Sequence, residues 1–227
     1  MGVNGILVVD KKEGPTSRRV VDLARRALGE KKAGHLGTLD PFATGILPIC
    51  LGKATRLARF LTGGGKTYEG VIRLGATSDT LDRTGTILRE RAIPPGLDME
   101  SLDPFLEKLR GEIDQVPPMY SAVQVDGQRL YRLARQGIEI ERKPVKVHVE
   151  TEILDYTYPE LKIKVACSKG TYIRSIASEI GEKLGCSGHL ITLTRTQSGS
   201  FLLKDCIDAK SLSDPSFSYI PHLRKTV

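Results

Sequence analysis

Half-buried strands joined by turns and interrupted by amphipathic helices point to an α+β architecture around a mixed, mainly antiparallel sheet. Three observations carry that expectation. Val145, Val147 and Val149 alternate with Lys146, His148 and Glu150, and Leu161, Ile163, Val165 and Cys167 alternate with Lys162 and Lys164. With Tyr158-Pro159 between them, these runs read as a hairpin with one solvated face. From Lys66 to Ala76 the chain alternates again, with Tyr68, Ile72 and Leu74 on one face and Thr67, Glu69 and Arg73 on the other. Two further segments, after Thr16 and from Thr171, repeat apolar residues at helical spacing and stop at Gly29 and Gly185.

The remaining elements follow in order. Ile6 to Val9 reads as a buried strand, and Thr16 is placed to cap a helix carrying Val20, Leu23, Ala24, Ala27 and Leu28 on one side. Ile46 to Leu51 is a short apolar strand, and Lys53 to Leu61 looks helical before three glycines. TSDTLDRTG from Thr77 reads as a loop into a strand at Thr86 to Leu88, and Asp98 caps a helix ending near Arg110. Residues 116–144 break the pattern as an excursion from the core. It holds a Pro-Pro turn, a strand from Ser121 to Val125, a DG turn and the basic helical segment RLYRLARQ. The second amphipathic helix carries Ile173, Ile176, Ala177, Ile180 and Leu184, and Leu190 to Thr196 is the last strong strand.

With 227 residues and 40% apolar content the chain can bury a substantial core as one large domain. Lys and Arg outnumber Asp and Glu by 34 to 27, a net charge of +7 that favours polyanionic partners. Cys50, Cys167, Cys186 and Cys206 are widely spaced with no C-x-x-C pair, the usage of buried thiols in a reducing compartment. There is no leader pattern or membrane-length apolar run, and Ile6 stands where a myristoylation signal needs Ser or Thr. A cytoplasmic protein is expected.

Two apparent motifs fail. GGGKT at Gly63 lacks the earlier glycine of a phosphate-binding loop, since Phe60 stands there. His148-Val149-Glu150 has the H-x-E half of a zinc deaminase signature without a following P-C-x-x-C, and no other metal-ligand spacing is present.

The stretch GHLGTLDPFATGILPICLGKATR, from Gly34, places one carboxylate, Asp40, between glycines and a short apolar strand. Pro41 biases Asp40 toward extended backbone, while Gly34, Gly37 and Gly45 allow conformations that side chains block. An aspartate before proline is also a common turn starter, so the local pattern leaves both a turn and a presented acid open.

This stretch resembles the G-H-x-G-x-L-D-P motif of the TruB family of tRNA pseudouridine synthases. KTYEGVIRLG from Lys66, SKGTYIRSIASEIGEKLG from Ser168 and GHLITLTRTQSG from Gly188 fit the same family in the same order. The resemblance runs from about Gly5 to Phe201. It implies a pseudouridine synthase fold with a curved sheet, in a single catalytic domain over residues 1–227. The reaction it implies is cofactor-independent isomerisation, without a metal, of the uridine at position 55 in the T loop of tRNA. Asp40 is then the catalytic carboxylate, acting first as nucleophile on the ribose or as base, and Arg174 pairs with it; an opposite charge nearby keeps a carboxylate ionised. Tyr68, otherwise an ordinary core aromatic, would stack on the target uracil and assist removal of the carbon 5 proton. Leu193, core by default, would pack on the flipped base, and His35 would occupy the space the nucleotide vacates.

The excursion at 116–144 resembles the family's thumb, which closes over the T loop. Arg129, Arg132 and Arg135, at three-residue spacing, are expected to line one helical ridge suited to phosphates, though a solvated basic helix has the same pattern. The partner implied is the T arm of tRNA, with no membrane and no protein partner readable, and a monomer is expected. Family members usually continue into a C-terminal PUA barrel, whereas here only a short tail follows Lys204, so a short form without a complete PUA domain is expected.

Overall fold

Strand β1 (Gly5–Lys11) is a run of leucine and β-branched residues, buried almost throughout. Thr16 ends the following turn and accepts a hydrogen bond from the Arg19 amide at 3.1 Å, starting helix α1 (Ser17–Ala27) as its sequence indicates. The helix buries Val20, Val21 and Ala24. Strands β2 (Ala33–His35) and β3 (Thr44–Leu51) come next, then a 3₁₀ segment, Gly52–Leu57, and the short helix α2 (Ala58–Leu61). The segment expected to be helical is therefore mostly 3₁₀. In β4 (Lys66–Leu74) the buried positions are Tyr68, Gly70, Ile72 and Leu74, the face the alternation indicates.

The chain continues through β5 (Ala76–Ser78), β6 (Ile87–Glu90), α3 (Met99–Glu107) and β7 (Gly111–Gln115). Thr77 and Ser78 thus lie in a strand, not in the expected loop, because Ala76 to Ser78 pairs antiparallel with Ile87 to Glu90. Asp98 caps α3 as expected, accepting from the Ser101 amide at 2.8 Å. The excursion contains β8 (Gln124–Val125), β9 (Gln128–Arg129) and α4 (Leu130–Ala134). After it come β10 (Val145–Thr157), β11 (Glu160–Cys167), α5 (Ile173–Lys183), β12 (Gly188–Ser198), β13 (Phe201–Leu202), β14 (Ile207–Asp208) and β15 (Leu223–Arg224).

This computed structural model describes residues 3–225, and the chain packs as two units, Met1–Tyr68 with Leu193–Val227, and Glu69–Thr192. In the first unit β1 runs antiparallel to β3, from Gly5 opposite Leu51 to Lys11 opposite Gly45. β2 extends β3 antiparallel, β14 lies parallel to β1, and β12 joins β3 in parallel through Thr194 opposite Thr44 and Arg195 opposite Gly45. Ile6, Val8, Leu36, Ile46, Cys50 and Ala54 form one of its buried clusters, with Phe201 and Cys206 packed against it. In the second unit the strand order is β4-β11-β10-β7, and the β10–β11 hairpin aligns Val149 with Cys167 and Thr157 with Glu160. α5 buries Ile173, Ile176, Ala177 and Ile180, the stripe expected of it. Parallel pairs occur within a mainly antiparallel arrangement, which is the mixed α+β fold the periodicities indicate. Among the described residues, no helix is long and apolar enough to cross a membrane.

Candidate active site

The loop between β2 and β3 carries Asp40, and its conformation is fixed from below by two buried cations. Leu36, Leu39, Phe42 and Ala43 point into the core, while Asp40 is half-buried. Lys11, fully buried at the end of β1, donates from Nζ to the carbonyls of Ala43 (2.6 Å), Asp40 (3.1 Å) and Pro41 (3.2 Å). Arg195, fully buried on β12, donates from Nε to Ile46 O at 2.7 Å and from its two Nη atoms to Gly37 O at 3.2 Å and Thr38 O at 3.5 Å. Ser17 Oγ lies 2.8 Å from both the amide and the carbonyl of Leu39, and Ala43 N closes a turn on Asp40 O at 3.1 Å. Gly45 has φ +98°, and a Cβ there would overlap the backbone of Arg195, which is why β3 and β12 can approach at that point.

Burying an ammonium disfavours its charged form, and Lys11 is pushed down to about 8, with Asp40 and Glu13 opposing that shift and Arg195 adding to it. In the same unit His35 ends β2 with Nδ1 buried and without a hydrogen-bond partner. Burial, then the charges of Arg195 and Arg18, hold its pKa below the ordinary imidazole value. The ring is therefore neutral at physiological pH. Tyr68 and Leu193 are both buried, Tyr68 on β4 and Leu193 on β12 two residues before Arg195.

In the second unit Arg174 lies in the first turn of α5 and is 4% exposed. Its Nη1 donates to Thr80 O at 2.7 Å, its Nη2 to Tyr120 O at 2.8 Å, and its Nε stands 3.7 Å from Asp82 Oδ2. Asp82 is equally buried, and its Oδ1 accepts from Thr84 Oγ1 (2.6 Å), Thr80 Oγ1 (2.8 Å) and Thr84 N (2.9 Å). Leu81 adopts φ +60° to make that turn. Gln115, also buried, grips the residue before α5 by donating to Tyr172 O at 3.1 Å and accepting from Tyr172 N at 2.8 Å.

The excursion corrects one expectation. Arg129, Arg132 and Arg135 are all exposed, but they do not line one helical ridge. Arg129 belongs to β9, Arg132 to α4, and Arg135 follows the helix as its C-cap. The DG turn, with Asp126 at φ +50° and Gly127 at φ +77°, folds Gln128 and Arg129 back as a hairpin on Gln124 and Val125. The strand expected from Ser121 is reduced to those two residues. His148 and Glu150 form a pair on β10, 3.1 Å apart, at a solvated surface. Among the described residues, no three His, Cys, Asp or Glu side chains are grouped to hold a metal ion.

Sequence reading missed Lys11, Arg195, Gln115 and Asp82. Two of them left a trace. Lys11 shares the parity of Leu7 and Val9 in β1, and Arg195 that of Leu193 in β12, so each is a cation on an inward-facing position. Asp82 and Gln115 sit in turn and strand-end sequence with no such signal. Chemically, the first unit offers a carboxylate on a rigidly held loop, an imidazole kept from protonation by burial, and a buried tyrosine and leucine. The second offers a guanidinium held by a carboxylate and two carbonyls.

Comparison with known proteins adds an independent finding. Residues 25–173 match the model of the TruB family pseudouridylate synthase N-terminal domain, and residues 174–225 that of the tRNA pseudouridylate synthase B C-terminal domain. The tRNA pseudouridine synthase B of Francisella philomiragia is 48% identical over 96% of this chain and 72% of its own length. That of Francisella tularensis subsp. novicida is 46% identical over the same shares. Among solved structures, a chain of a Cbf5-Nop10-Gar1 complex superposes with TM-score 0.70 and 31% identity over 90% of this chain. A chain of an H/ACA RNP bound to a substrate RNA containing 2'-deoxyuridine superposes with TM-score 0.67 and 28% identity. This chain spans 52% of the length of each of those two.

Proposed function

This chain belongs to the TruB family of pseudouridylate synthases, and from that premise we propose that the tRNA uridine it isomerises is the one at position 55, in the T loop. Uridine-to-pseudouridine isomerisation breaks the bond from ribose C1′ to uracil N1, turns the base, and joins C1′ to C5. The proton leaves C5 and N1 gains one. Nothing is oxidised and no water is consumed.

The observation that carries the reading is the clamped presentation of Asp40: a half-buried carboxylate whose own carbonyl and those of Pro41, Ala43 and Ile46 accept from buried Lys11 and Arg195. In this proposal Asp40 acts at the sugar, attacking C1′ or taking the C2′ proton, and Arg174 supplies the counter-charge. Support for Arg174 is its burial and its three-point anchoring in its own unit. Tyr68 stacks on the uracil and takes part in loss of the C5 proton, and Leu193 packs on the extruded base. Extrusion costs on the order of a few kcal/mol, which the contacts of His35 in the vacated space offset. A neutral, apolar-sided imidazole suits stacking there better than a charged one. Residues 116–144 form the RNA-binding insertion, with exposed Arg129, Arg132 and Arg135 meeting T-arm phosphates.

Asp40→Asn tests the reading directly. It is expected to abolish tritium release from a T-arm transcript labelled at carbon 5 of uridine while retaining RNA binding. Turnover by this variant at the wild-type rate would overturn the assignment. A primary isotope effect from deuterium at C2′ would select proton abstraction as the first step, and its absence would select attack at C1′.

A further inference from the structure

We propose that Arg195 is a positioning residue for Asp40, acting as a brace that ties the beginning of the catalytic loop to its end. The inference rests on the assignment of Asp40 as the catalytic carboxylate. Arg195 is completely buried, and its three donors reach Gly37 and Thr38, which precede Asp40, and Ile46, which follows it. Lys11 binds the carbonyls of Asp40, Pro41 and Ala43 between them. Five carbonyls of the loop, at residues 37, 38, 40, 41 and 43, and one at residue 46 in β3 therefore accept from two buried cations.

Burying a guanidinium is costly, and a purely structural solution would hydrogen-bond the loop with neutral groups or shorten it. Arg195 is instead spent on backbone carbonyls. The planar fork is what the geometry requires, since one side chain must reach two chain segments in fixed relative orientation. The surroundings are shaped to admit it. Gly45, directly opposite Arg195 in the β3–β12 ladder, leaves no room for a Cβ. A Cβ at Gly37, whose φ is +131°, would sit 3.6 Å from Arg195 Nη1 and 3.2 Å from Lys66 Cε. A displacement of a reacting group by about 1 Å can cost on the order of 100-fold in rate, so a brace of this kind acts on turnover more than on binding.

The test compares Arg195→Met and Arg195→Lys with wild type in single-turnover tritium release over a range of tRNA concentrations, with thermal melts of each protein. Arg195→Met is expected to lower the maximal rate by about 100-fold while shifting the half-saturating RNA concentration less than about threefold. Arg195→Lys keeps one donor and the charge, and is the variant expected to fold most nearly as wild type. It should recover about tenfold of that loss, the split expected of a partly restored brace. If either folded variant turns over at the wild-type rate, or if the loss falls on RNA affinity instead of maximal rate, the inference is overturned. Asp40→Asn run alongside separates the two levels. Activity in that protein sinks the functional reading, whereas an inactive Asp40→Asn beside fully active Arg195 variants sinks only the brace.

Discussion

His35 holds a ring nitrogen out of solvent with no hydrogen-bond partner, and its depressed pKa follows from burial, then from Arg195 and Arg18. The unfolded chain therefore binds a proton that the folded chain refuses, so stability is full above pH 6.5 and is lost as pH falls from there through the folded value. Urea melts across that window should show the loss in wild type and a flatter profile in His35→Gln. Arg174 and Asp82 illustrate a different cost. Removing one partner of a buried pair strands the other charge, so Asp82→Ala is expected to destabilise the protein by about 3–5 kcal/mol in urea melts and to depress turnover, while the exposed Glu150→Ala changes stability by less than about 0.5 kcal/mol. Among the residues, the turn that holds Asp40 was legible in the glycines and the proline around it, whereas the role proposed for its carboxylate came from the family resemblance and not from that local pattern. Lys11 and Arg195 left only their inward parity, because the loop carbonyls they bind lie far away in sequence, up to 158 residues for Arg195.

Elements were legible where one period runs unbroken. The alternation in β4 and β11 and the helical stripe in α5 returned the buried faces they indicate, while in β10 Val147 and Val149 are buried but Val145, at the strand's start, is exposed. Short pieces were not, because two-residue ladders such as β8 and β9 are set by their turn and carry no period. Helix α1 shows propensity yielding to another demand. Its first turn has no acidic residue and instead holds Arg18 and Arg19, cations at the positive end of the helix dipole. Arg19→Glu should raise helix stability by about 0.3–1 kcal/mol in thermal melts, and if the arginine meets RNA it should weaken tRNA affinity in filter binding. Thr16→Ala removes the cap and should cost about 1 kcal/mol, which Thr16→Asn should restore.

At the scale of the molecule, an excess of seven positive charges suits a polyanionic substrate. Affinity for tRNA should fall with salt, and replacing both Arg132 and Arg135 by Gln should reduce the slope of log K against log salt by about 1–2 while leaving turnover at saturating RNA unchanged. The units themselves are interleaved in sequence: the first is begun before Tyr68 and finished only after Leu193. That order has a consequence for biosynthesis. The carbonyl of Gly37 accepts from Arg195, 158 positions downstream. At ribosomal speeds of about 5–20 residues per second, on the order of ten seconds or more pass between synthesis of the loop and arrival of its brace. Until then the nascent chain carries the Asp40 loop without one of the two cations that hold it, so the loop takes its final form only when the last part of the chain has been made.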